Sequence, residues 1–85
     1  MPSERESVAM TLADTVAFGG LGKEGHRRGD HAWLIPFKKA GVIEGTIHVH
    51  SPRSIIIQWK TPLKRGADSF KRSAEAIEFF RKYIR

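Results

Sequence analysis

Two segments of strict alternation, Ile43–His50 and Ser54–Lys60, flank Ser51-Pro52-Arg53 and constrain this chain more than any other feature. In the first, Ile43, Ile47 and Val49 alternate with Glu44, Thr46, His48 and His50. In the second, Ile55, Ile57 and Trp59 alternate with Ile56, Gln58 and Lys60. A period of two means strands, and Ser-Pro-Arg is turn chemistry. Register follows from requiring both apolar sets on one face, because a one-residue slip sends every side chain to the wrong side. Pairing Val49 with Ile55 meets that requirement. It sets Ile47 opposite Ile57, Gly45 opposite Trp59, Glu44 opposite Lys60 and Thr46 opposite Gln58; the last two pairs add modest stability.

The neighbouring segments extend the sheet. Residues 32–37, AWLIPF, form a short apolar run closed by the turn Lys38-Lys39-Ala40-Gly41. Pro36 has no N–H to give to a ladder, so this strand belongs at an edge. Residues 8–18, VAMTLADTVAF, place Val8, Met10, Leu12, Val16 and Phe18 on one parity. That favours a strand, or a tight hairpin turning at Ala13-Asp14, although Val8, Ala9, Leu12, Ala13 and Val16 also fit a helix. Thr61-Pro62 ends the strand that began at Ser54. Residues 63–68, LKRGAD, then lead into a helix capped by Asp68 or Ser69. Along it Phe70, Ala74, Ile77, Phe80 and Ile84 share a stripe, with Lys71, Glu75, Glu78, Lys82 and Arg85 opposite. Phe79 and Tyr83 fall on a flank that one helix on one sheet leaves open. The expected architecture is α+β: an antiparallel meander of three or more strands with one C-terminal helix on its apolar face.

At 85 residues the chain is a single domain over residues 1–85. A chain of this size buries only about 60% of the surface that it exposes when unfolded, so a homodimer joined at Phe79 and Tyr83 is an expected source of further burial. There is no cysteine to staple the fold or bind metal as thiolate. No apolar run approaches the roughly 18 residues of a membrane span, and the opening MPSERESVAM is polar and of mixed charge, unlike a signal peptide. The expectation is a cytoplasmic protein with no membrane partner.

Charge points to a partner class. The net charge is +6, and it is unevenly spread: residues 1–52 carry six basic and six acidic side chains, residues 53–85 nine and three. Such asymmetry suits an acidic partner, nucleic acid being the commonest. Arg53, Lys60, Lys64, Arg65, Lys71 and Arg72 are the expected phosphate contacts, gathered about one loop and one helix start where free amides add positive potential. Lys38 and Lys39 lie in the neutral half and are expected to matter less.

The glycine-rich loop 19–30, GGLGKEGHRRGD, fails as a nucleotide P-loop. Aligned on Gly22-Lys23, the first glycine position holds Ala17 and the hydroxyl position holds Glu24. The loop is expected to be a flexible connector, with Lys23, Arg27 and Arg28 as possible additional contacts to a phosphate backbone. His48 and His50 share a strand face without a certain third metal ligand, and no serine or cysteine sits in a recognisable nucleophile context. The function expected is that of a small basic, non-enzymatic binder of DNA or RNA without metal or cofactor. The alternative is a protein-interaction module or inhibitor whose basic face meets an acidic protein.

Overall fold

A computed structural model describes residues 4–21, 27–29, 31–81 and 83, with backbone alone for Arg27 and Arg28. The elements are α1 (Glu4–Phe18), β1 (Arg27–Arg28), β2 (Trp33–Lys39), β3 (Ile43–Ser51), β4 (Ser54–Lys60), β5 (Arg65–Phe70) and α2 (Ser73–Phe80). The strands form one antiparallel meander in chain order. α1 lies over β2 and β3, α2 lies over β4 and β5, and the two helices touch. The fold is α+β, with both helices on one face of the sheet.

The central hairpin has the register that the alternation dictates: Val49 faces Ile55, Ile47 faces Ile57, and Glu44 faces Lys60. A shift between Val49 and Ser51 lets the turn close, and the Ser51 hydroxyl accepts the Arg53 N–H at 3.3 Å. Ile35, Ile47, Val49, Ile55 and Ile57 are fully buried beneath the helices, together with Leu12, Ala76 and Phe80. Phe80 meets Phe37 edge-on, with ring centroids 4.9 Å apart.

The strand that holds Pro36 is expected at an edge, but β2 lies second in the sheet, with β1 beyond it; the outer side is left without a described strand only past Leu34. β1 pairs only with Trp33 and Leu34. Two residues beyond Pro36, the outward N–H of Lys38 is donated to the carbonyl of Leu21. The missing N–H of Pro36 lies on that same outer side, where no described strand pairs with it.

Two assignments change. Residues 8–18 belong to a helix rather than a strand or hairpin, and the buried positions Ala9, Leu12, Ala13 and Val16 follow i, i+3, i+4, i+7. Two members of the alternating set, Met10 and Phe18, are exposed. Two threonines, a residue type commoner in strands, are accommodated by bonding backward along the helix: Thr11 donates to Ser7 O at 3.0 Å and Thr15 to Thr11 O at 2.8 Å. The helix ends in a Schellman cap. Gly20 sits at φ 77°, its N–H reaches Ala17 O, and the Leu21 N–H reaches Val16 O. Part of the glycine-rich loop is thus a helix terminator.

The second change is at residues 65–70, which form β5 rather than a lead-in to the helix. The turn Thr61–Lys64 is closed by Thr61 N–H donating to Lys64 O at 2.7 Å. β5 then runs back along β4, with Gly66 facing Trp59 and Asp68 facing Ile57. α2 therefore begins at Ser73, with Arg72 at the cap position and no side-chain cap there. Its apolar stripe turns accordingly: Ala76 and Phe80 are buried and Ala74 is exposed, while Phe70 packs from β5. Ile84, Lys82 and Arg85 lie outside the described residues.

Candidate nucleic-acid interface

Both helices cover one face, no described element stands on the other, and the registers state which side chains lie there. Adjacent residues across the strands form rows. Lys38, Glu44, Lys60 and Arg65 make one; Pro36, Thr46, Gln58 and Ala67 the next; Leu34, His48, Ile56 and Ser69 a third. None of these twelve is buried, and no described element covers them. Cross-strand neighbours stand about 5 Å apart, so Lys60 and Arg65 place two cations side by side on adjacent strands. Lys38 and Lys60 flank Glu44. The first two rows surround an open hollow of about 950 Å³, also bordered by the backbone at Gly45 and Gly66.

The six expected phosphate contacts do not converge on one loop. β5 separates them: Lys60, Lys64 and Arg65 stand at one end of the β4–β5 hairpin, and Arg53, Lys71 and Arg72 at the other. Seven strand residues at about 3.3 Å each put the two groups roughly 20 Å apart. Arg53, Lys71, Arg72 and Ser73 border a separate hollow of about 600 Å³, shared with Glu4 and Val8 of α1. Sequence reasoning missed Lys38. It was assigned to the neutral half, but β2 carries it into the row of Lys60 and Arg65. The signal was available in the turn at 39–42: closing it fixes Lys38 against Glu44, and Glu44 was already set against Lys60. Lys39, one residue on, faces the helices, where its Nζ donates to the Tyr83 carbonyl at 3.1 Å.

Of the other candidates, Lys23 lies outside the described residues, as do the side chains of Arg27 and Arg28. His48 and His50 stack their rings 6.2 Å apart on the open face, and His48 Nε2 lies 3.3 Å from Gln58 Oε1. Among the described residues no three potential metal ligands come together. Trp33 faces Val49 and so belongs to the helix-covered side; no Phe, Tyr or Trp among the described residues stands on the open rows. Phe79 and Tyr83 are half-buried, and Phe79 packs against Trp59, Phe70, Phe80 and Tyr83. No described helix is long and apolar enough to cross a membrane. No family model, curated protein or solved structure matches the chain.

Proposed function

We propose that this chain is a small, non-enzymatic protein of the cytoplasm that binds nucleic acid through its backbone phosphates. The observation that carries the reading is the row Lys38, Lys60 and Arg65 on a sheet face that no described element covers, three cations in line with the single carboxylate of Glu44. Lysine and arginine at the rim supply charge, while the small residues Pro36 and Ala67 leave the floor low enough for a backbone to approach. Thr46, Gln58 and His48 offer hydrogen bonds along that floor. Without aromatic rings on these rows the face lacks the stacking platform that holds unpaired bases, so the contact is one of charge and shape, indifferent to sequence. Arg53, Lys71 and Arg72 form a second cationic patch available to the same polymer.

The test is fluorescence anisotropy with single- and double-stranded DNA and RNA oligonucleotides across a salt series. Binding that weakens linearly in log affinity against log salt and tolerates sequence changes supports the proposal. An absence of binding at low salt overturns it and favours the alternative, a module whose basic face meets an acidic protein.

A further inference from the structure

One recess on the helix side of the sheet is rich in carboxylates although the chain is basic overall. Between β5 and α2 lies a groove of about 430 Å³ lined by Trp59, Phe70, Phe79 and Tyr83. Phe79 is central: its ring lies 6.4 Å from Trp59, 6.0 Å from Phe70 and 6.0 Å from Tyr83. Three carboxylates, Asp68, Glu75 and Glu78, stand at the rim in a chain of net charge +6, with Glu78 paired to Arg81 at 3.3 Å and Glu75 the acid nearest to it along the helix. Asp68 fixes the indole by accepting the Trp59 Nε1–H at 2.8 Å. The groove already receives a cation, because the Lys64 ammonium stands 5.9 Å from the centroid of the Trp59 ring.

We infer that this groove is a binding site for an organic cation, specifically the ammonium head of a lysine or methylated lysine side chain presented by a partner protein. Ring faces attract such a head through their quadrupole, and more strongly as water is excluded. Carboxylates at the rim select the cation over a neutral group of equal shape. This reading is independent of the nucleic-acid proposal.

The experiment uses the intact protein and nuclear magnetic resonance. The Trp59 indole N–H is assigned with Trp33→Phe, then followed during titration with N-acetyl-trimethyllysine amide. The neutral carbon isostere, with a tert-butyl head, is titrated in parallel. The expected result is a saturable shift of the Trp59 indole and of the Phe79 amide, with the neutral isostere about fivefold weaker or more. Glu75→Gln with Glu78→Gln should weaken the cation several-fold while leaving the remaining spectrum in place. Lys64→Met, which removes the resident ammonium as a competitor, should strengthen it. Equal binding of the neutral isostere, or no shift at millimolar ligand in the Lys64→Met variant, overturns the inference. So does occlusion of the groove by a second copy, seen as concentration-dependent shifts of the same signals without ligand.

Discussion

Trp59 lies against Gly66: a β-carbon at position 66 would stand 2.8 Å from Cζ2 of the indole and 3.1 Å from Cε2. The tryptophan of β4 uses the bare backbone of the edge strand as its support, and Asp68, two residues on, holds the indole N–H. A sequence as poor in strand formers as RGADSF is held in the sheet by that arrangement. Gly66→Ala must push the ring away. The expected loss is about 1–3 kcal/mol, as for other overpacked positions, reduced by the few tenths that alanine gains through a stiffer unfolded chain. Urea unfolding measures it, and the Trp59 indole resonance should move with it. A variant as stable as the parent would contradict the packing.

Burial divides two adjacent isoleucines. Ile57 is fully buried on the covered face, whereas Ile56 stands half-exposed on the open one. Ile57→Ala should cost about 2–5 kcal/mol from lost transfer free energy and the cavity left behind. Ile56→Ala should cost clearly less. Equal losses in urea unfolding would mean that the open face is covered in solution.

How much of this was legible beforehand depended on how strongly one period dominated a segment. The β3–β4 register could be read because only one offset collects Ile47, Val49, Ile55 and Ile57 on a face. α1 was obscured because half of its buried stripe is alanine, Ala9 and Ala13, which weigh little beside the alternating valines and threonines. β5 was hidden for another reason: five of its six residues are exposed, and its pairing is supplied by the bare edge of β4 and by Trp59. That single omission moved the helix start by three or four residues, rotated its apolar stripe and fused two cationic groups into one. Of the interface, Lys60 and Arg65 were visible as charge. Lys38 was not, because charge counted along the chain ignores which strands lie side by side.

The cap on α1 gives a third test. Gly20 sits at φ 77° with nothing within 4 Å of where a β-carbon would stand, so a substitution there meets backbone strain alone. Gly20→Ala should destabilise by about 1–2 kcal/mol, the cost of a left-handed conformation for an L-residue. Circular dichroism followed through urea unfolding reads it. Because Leu21 is fully buried and its carbonyl accepts the Lys38 N–H, loosening the cap should also speed hydrogen exchange at Lys38. An unchanged exchange rate there would separate the cap from the sheet edge.

The sharpest test of the interface sets Lys38 against Lys39. The two are adjacent and lose the same charge on replacement by alanine, yet they point to opposite faces: Lys38 into the row with Glu44, Lys60 and Arg65, Lys39 toward the Tyr83 carbonyl. Each phosphate released lowers the slope of log affinity against log salt by about 0.9 on duplex DNA. Lys60→Ala with Arg65→Ala should therefore flatten the slope by up to about 2 and weaken all sequences alike. Adding Lys38→Ala should take away up to about one more, whereas adding Lys39→Ala should leave the slope near that of the double variant. Stability sorts the other way, since exposed Lys38 contributes within about 0.5 kcal/mol and Lys39 loses a partly buried hydrogen bond worth about 1 kcal/mol. Equal changes in slope from Lys38 and Lys39 would mean that the polymer senses only net charge, and that the open face of the sheet is not where it binds.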